Sequence, residues 1–210
     1  MIAYSIEAAH RAKIFDAILV STDDDEISEV AKKFGGEVPF RRPAILADDY
    51  APTLPVMAHA IKWFQETRGP VDFACCIYPT APFLQPQSLR AGLELLRAHS
   101  DAEFAFSITS YPSSIFRALR RTDDGRVEMF WPENELKRSQ DLSEAWHDAG
   151  QFYWGRSVAF FLTNKGVFSA RSYAVVLPRH LVQDIDTAED WLTAEAMFRA
   201  VATAEGRDGI

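Results

Sequence analysis

The chain has 210 residues, 48% hydrophobic and 25% charged, and its 30 acidic against 22 basic residues give a formal net charge of −8. That balance disfavours a non-specific grip on nucleic acid, which depends on Lys and Arg neutralising phosphates, and no apolar run approaches the ~20 residues of a bilayer span. A single soluble domain in the cytoplasm is expected, with neither nucleic acid nor membrane as partner.

In chain order, Ile2, Ile6, Ala9 and Ile14 fall at helical spacing and predict an amphipathic helix over about 3–14. The short apolar run Ala17–Val20 ends in Ser21-Thr22-Asp23-Asp24. A second helical pattern follows (Ile27, Val30, Ala31, Phe34) and closes at Gly35-Gly36, so this region reads as a buried parallel strand feeding a helix. A loop rich in Pro and Asp over 39–55 leads to a helix near 53–67 and a second buried strand, Phe73–Tyr78. Cys75 and Cys76 stand side by side in that strand, a placement that disfavours a bridge between them, and no Cys/His spacing suits zinc. The rhythm repeats with a loop over 79–86, a helix over 87–98 and a strand over 103–109. It predicts an α/β fold with a parallel sheet and ligands at the carboxyl ends of the strands.

The runs Phe116–Arg121 and Arg126–Trp131 flank Asp123-Asp124-Gly125, the signature of a hairpin turn. Strands are expected again at Gln151–Trp154 and Ala174–Leu177, and a closing helix at 187–204 with Trp191, Leu192, Ala194, Met197 and Phe198 on its apolar side. Folds of this rhythm open with a strand that feeds the first helix, whereas here Met1 stands directly before helical residues. The Ala17–Val20 and Phe73–Tyr78 strands are therefore expected to lie apart or to be bridged by something else.

Several residues carry candidate chemistry. Asp184 and Asp186 are two apart in a segment read as extended, which turns both carboxylates to one side. Such a pair suits Mg²⁺, which completes its octahedron with water and phosphate oxygens. The competing reading has Asp186 or Thr187 capping the last helix, with Glu189 or Asp190 closing a capping box; it leaves Asp184 unexplained. Arg42 and Arg138 stand on loops where a guanidinium can hold phosphate or carboxylate in bidentate fashion, or can be plain surface charge. The loop Tyr78-Pro79-Thr80-Ala81-Pro82-Phe83 follows a buried strand where α/β folds bind nucleotides, stiffened by two prolines. Trp146-His147-Asp148 and Gly150–Trp154 read either as a sugar-facing wall or as core. The serine-hydrolase, zinc-protease, P-loop and dinucleotide fingerprints are absent from the sequence.

Met1–Ile6, Val20–Asp24, Arg42-Pro43, Pro79–Pro82 and Gln183–Trp191 together resemble the cytidylyltransferases that activate nonulosonic (sialic-type) acids, in order and spacing over essentially the whole chain. Within that family Cys75–Tyr78, Arg126–Phe130 and His147–Trp154 are most similar to the pseudaminic acid branch; N-acylneuraminate and legionaminate branches are the alternatives. The resemblance implies a Rossmann-like nucleotidyltransferase sheet, one domain over 1–210, with an inserted hairpin region at 112–145 serving a homodimer. It implies CTP and a nine-carbon keto-acid sugar as substrates and Mg²⁺ as cofactor. It assigns Asp184 and Asp186 to catalysis and the metal, Arg42, Pro79, Thr80, Ala81 and Pro82 to the nucleotide, and Arg138 and Gln151 to the sugar. Members of the family open with a strand and a basic loop resembling I-P-A-R-x-G-S-K that cradles the triphosphate. The chain as given starts after that point, so weak CTP binding and impaired turnover are expected of it. A truncated, non-catalytic paralogue that binds a nucleotide-sugar or a partner is the reading outside enzymes.

Overall fold

A computed structural model of the chain describes residues 1–48, 50–162 and 166–204. The first helix, α1 (Ile2–Ala12), buries Ile6, Ala8, Ala9 and Ala12, small side chains that allow close packing, and stops at Lys13 in the left-handed conformation. Helix α2 (Asp25–Lys33) starts where the Ile27 amide donates to the Asp24 carboxylate at 2.8 Å. Helices α3 (Thr53–Thr67) and α4 (Pro86–Ala98) follow, the latter with proline at its first position, where a missing N–H costs nothing.

Four strands, β1 (Phe73–Ile77), β2 (Phe104–Ser110), β5 (Trp146–Arg156) and β6 (Ser172–Val176), form the main sheet in the order β1-β5-β2-β6. Two short strands, β3 (Leu119–Arg121) and β4 (Val127–Met129), form a separate hairpin around the Asp-Gly turn. Helix α5 (Ala188–Ala204) closes the described chain. No helix among the described residues is long and apolar enough to cross a membrane.

The α/β layering follows the sequence pattern, but the sheet is mixed. Strand β6 runs parallel to β2, whereas β5 runs antiparallel to both β1 and β2. The cause is the excursion over 111–145: it leaves at the carboxyl end of β2 and closes on itself there, with Ser110 opposite Trp146 and the Tyr111 amide donating to the Ala145 carbonyl. The chain must then run back through the sheet. Alternation along β5 turns Phe152 and Trp154 into an apolar cluster with Leu89, Leu93 and Leu96 of α4, and Tyr153 into the opposite cluster with Ile61, Phe104 and Phe160.

Ala17–Val20 does not form a ladder strand. Among the described residues its Leu19 makes an isolated parallel bridge with Glu37, the nearby Thr22 makes another with Arg41, and none joins the segment to β1. No ladder joins the two segments among the described residues.

Gly92 on α4 faces the sheet so closely that an added Cβ would stand 2.6 Å from the Trp154 ring and 3.0 Å from Phe152. Gly92→Ala should therefore lower stability by about 1–3 kcal/mol, despite the gain of about 1 kcal/mol in helix propensity, and urea unfolding should show a lower midpoint. An unchanged or higher midpoint would contradict this packing.

Candidate functional site

Strand β5 pairs regularly with β1 along its second half but not with β2 along its whole length. Between Phe106↔Tyr153 and Ile108↔Asp148 the register advances two residues on β2 and five on β5. The surplus is absorbed at Ala149–Gln151, where Gly150 takes φ +61, a left-handed value that penalises any side chain. The bulge is tied down locally: the Gly150 amide donates to the Asp148 carboxylate at 3.0 Å, and the Tyr153 hydroxyl donates to the other oxygen of the same carboxylate.

The segment after β6 is seated on this bulge. The buried Gln151 side chain donates to the Leu181 carbonyl at 2.6 Å, which fixes the turn just before Asp184. The Asp184 carboxylate lies 3.5 Å from the position that a Gly150 Cβ would occupy. Residues 182–187 are irregular rather than a strand, so the reading of Asp184 and Asp186 as strand-alternating neighbours is corrected. Their proximity comes from the turn into α5, and both side chains are exposed.

Thr187 and Asp190 form the capping box of α5. The Asp190 carboxylate accepts from the Thr187 amide at 2.9 Å and hydroxyl at 2.7 Å, while the Asp190 amide donates to the Thr187 hydroxyl at 3.2 Å. Asp186 does no capping. Among the described residues no cationic side chain forms an ion pair with Asp184 or Asp186. Partial burial raises the Asp184 carboxyl above its ordinary range, and the charges of Asp186, Asp148 and Asp190 push it further. A site that gathers negative charge without a basic partner fits a cation. Among the described residues no set of three or more His, Cys, Asp and Glu is placed to hold a metal. This donor set therefore suits a cation that takes one or two carboxylates and fills the rest of its shell with water and substrate oxygens.

The nucleotide-side candidates flank the same end of the sheet. Arg42 is half-buried, with its guanidinium donating to the Ser21 hydroxyl at 3.1 Å and to the Ser21 carbonyl. Its charge reaches Cys76 of β1, where it offsets only part of the burial that pushes that thiol up to about 12. Both cysteines are free, as their adjacency implied. The Pro79–Pro82 loop continues β1: the Tyr78 amide donates to the Gln151 carbonyl, the Ser5 hydroxyl of α1 donates to the Tyr78 carbonyl at 2.8 Å, and Ala81 is buried. The loop after β1 and the Asp184 turn are thus linked through Tyr78, Gln151 and Gly150, and Arg42 stands near Cys76 of the same strand. Arg138 does not join them. It lies on the excursion, fully engaged with Asp141 by two hydrogen bonds of 2.8 and 2.9 Å.

In sequence Asp148 belongs only to the Trp146–Trp154 stretch read as wall or core, and its pairing with Tyr153 appears only in the structure. Burial raises the Tyr153 hydroxyl far above its ordinary range, and the bond to Asp148 adds to this. The available signal was Asp148-Ala149-Gly150 inside a strand-like run, an Asp two residues before a glycine, which is a turn motif where none belongs in a regular strand.

Residues 1–199 match a family model described as Cytidylyltransferase. The chain is 40% identical over 199 residues to the pseudaminic acid cytidylyltransferase of Campylobacter jejuni subsp. jejuni serotype O:2, covering 95% of this chain and 85% of that protein. It is 26% identical over 205 residues to the CMP-N,N'-diacetyllegionaminic acid synthase of Legionella pneumophila, covering 94% and 84%. Among solved structures, CMP:2-keto-3-deoxy-manno-octonic acid synthetase complexed with CTP superposes with a TM-score of 0.64 at 14% identity, covering 95% of this chain and 87% of that one.

Because Asp184 holds its proton more tightly folded than unfolded, its contribution to stability declines as pH rises from the ordinary aspartate range through the raised value, and is level above it. Asp184→Asn removes that decline. Thermal melts from pH 4 to pH 7 in metal-free buffer should show the variant gaining on the parent as pH rises. A gap that narrows with pH would contradict the charge crowding.

Proposed function

The chain belongs to the cytidylyltransferase family, and from that premise we propose that it transfers the CMP group of CTP to a nonulosonic acid, pseudaminic acid in preference, with release of pyrophosphate. The observation that carries the sugar class is the 40% identity to a pseudaminic acid cytidylyltransferase across 95% of the chain. The Rossmann-like superposition on a CMP-sugar synthetase supports the same reaction type.

In this reading the sugar hydroxyl attacks the α-phosphorus of CTP and gives up its proton to water, the bond from that phosphorus to the α–β bridging oxygen breaks, and pyrophosphate leaves with that oxygen. Asp184 and Asp186 would hold a divalent cation, Mg²⁺ by the hardness of their oxygens, which when bound would supply neutralisation of the triphosphate and of the charge that builds at the α-phosphate. The chain's own contribution is positional. Thr187 and Asp190 take over the cap and leave Asp186 free for the site. Gln151 fixes the turn, and Gly150 gives the Asp184 carboxylate room without a side chain between it and β5.

On the nucleotide side, Ser21 holds the Arg42 fork by two of its nitrogens, pre-setting its orientation. The stiff Pro79–Pro82 loop offers backbone edges beside it. Arg138 belongs to the sugar side of this reading and exchanges its Asp141 partner for the substrate carboxylate. A cytoplasmic location accords with the two free thiols. A homodimer through 112–145 accords with the apolar side chains that the excursion leaves exposed, among them Leu119, Phe130 and the 97% exposed Leu136.

The test is pyrophosphate release with CTP, Mg²⁺ and, in separate reactions, pseudaminic, legionaminic and N-acetylneuraminic acids. Pseudaminic acid should give the highest kcat/KM. Asp184→Asn should cut turnover by about 100-fold or more, with its circular dichroism spectrum unchanged. Preference for another acid would move the chain to a different branch, and normal turnover by Asp184→Asn would remove the carboxylate from the reaction.

A further inference from the structure

Three carboxylates gather at the β5 bulge, and they are not held alike. Asp184 meets Gly150 on the side of its Cα, 3.5 Å from where a Cβ would lie, while Asp148 meets the same residue at its amide, at 3.0 Å. The two are close enough for the charge of Asp148, like that of Asp186, to disfavour ionisation of Asp184. Yet no three acidic side chains among the described residues converge on a point where a metal could sit. Asp184 and Asp186 are free of any basic partner among the described residues, and Asp148 is the one turned aside.

What turns it aside is a pair of donors, one on each oxygen: the Gly150 amide and the Tyr153 hydroxyl. Together they fix the orientation of the carboxylate and take up part of its charge. The phenol cannot follow if Asp148 swings out. Tyr153 is 6% exposed, and its ring stands 5.4 Å from that of Tyr78 and 5.8 Å from that of Phe106. Tyr78 is itself anchored, its hydroxyl bonded to that of Thr53 at the start of α3 at 3.0 Å. Burial, and then the bond to Asp148, raise the Tyr153 hydroxyl far above its ordinary range, so it keeps its proton and stays a donor. Releasing Asp148 would leave that donor buried and unpaired, which holds the pair together.

We propose that Tyr153 sets the cation preference of the site: by holding Asp148 on the bulge it keeps a third carboxylate out of the seat and limits the protein's share to Asp184 and Asp186. The inference rests on the reading of those two as cation ligands. Mg²⁺ needs a near-regular octahedron, keeps several waters and is satisfied by one or two carboxylates, whereas Ca²⁺ takes about six to eight oxygens in a looser shell and gains from a further carboxylate. Two carboxylates with room for water and substrate oxygens suit Mg²⁺, and the same turn with Asp148 swung in would suit Ca²⁺. Tyr153 is a positioning residue in this account, acting through Asp148 and touching neither cation nor substrate. A pair that only braced the bulge would behave differently, because loss of the hydroxyl would then weaken both cations alike.

The experiment is displacement of Mn²⁺ from the 210-residue chain by Ca²⁺ and by Mg²⁺, without nucleotide, followed through the water-proton relaxation that bound Mn²⁺ enhances. Tyr153→Phe keeps the ring and removes only the donor. In that variant the Ca²⁺ concentration for half-displacement should fall at least about tenfold relative to that of Mg²⁺. Asp148→Asn, alone or combined with Tyr153→Phe, should keep the parent's ratio, because the reserve carboxylate is then gone. The single variant Asp148→Asn retains an oxygen for the Gly150 amide and tests the claim whether or not Tyr153→Phe folds. Asp184→Asn tells the two levels apart: if it still bound Mn²⁺, the seat would lie elsewhere and the proposal would fall with the reading beneath it. If Asp184→Asn loses Mn²⁺, two results would overturn the proposal and leave the seat standing: an unchanged ratio in Tyr153→Phe, whether or not both affinities drop, or a shifted ratio in Asp148→Asn alone.

Discussion

Everything in the candidate site leans on the irregular passage of β5 through the sheet. The strand must satisfy β1 on one side and β2 on the other, and it keeps register with β1 from Phe73 to Ile77 while slipping against β2. The mismatch is concentrated at Gly150, the one place on β5 with a left-handed φ. That local reversal brings the Asp148 carboxylate back onto the Gly150 amide, sends the Gln151 side chain to the Leu181 carbonyl, and leaves a side-chain-free patch against Asp184. A residue with a Cβ at 150 would cost about 1–2 kcal/mol for the conformation, while the Cβ itself would make only ordinary contact with the carboxylate at 3.5 Å.

The electrostatics follow from the same geometry. A chain already at −8 places Asp148, Asp184, Asp186 and Asp190 within reach of one another. Only Asp190 and Asp148 have their negative charge occupied by local hydrogen bonds, one to the α5 cap and the other to the bulge and Tyr153. Asp184 bears the crowding. Such crowding lowers the stability of the protein alone, and a cation bound there would offset it.

Much of this was legible in the sequence, because buried elements announce themselves by periodicity. Helices α1, α3 and α4, the strands β1, β2 and β6, and the Asp-Gly hairpin stand within a few residues of where apolar spacing and turn residues put them. The direction of β5 was not legible. Phe152-Tyr153-Trp154 reads the same in a parallel or an antiparallel strand, and only the closure of the 111–145 excursion onto Ser110 and Trp146 decides it. Spacing alone also left open whether Asp186 or Thr187 capped α5, since both precede a carboxylate at a workable distance. Arg138 shows the opposite limit: a resemblance assigns it to the sugar, while locally Asp141, three residues on, is its partner.

We propose that the β5 bulge and the turn before α5 form one cation seat. Paramagnetic broadening by Mn²⁺ in the amide spectrum tests it most directly. At low Mn²⁺ the first resonances to broaden should be those of Gly150, Gln151 and residues 184–187, with Thr80 and Ala81 following and Arg138–Leu142 last. Broadening that begins instead at Asp23–Asp25, which line a separate polar cavity with Arg41, or along the 138–142 excursion would contradict the account.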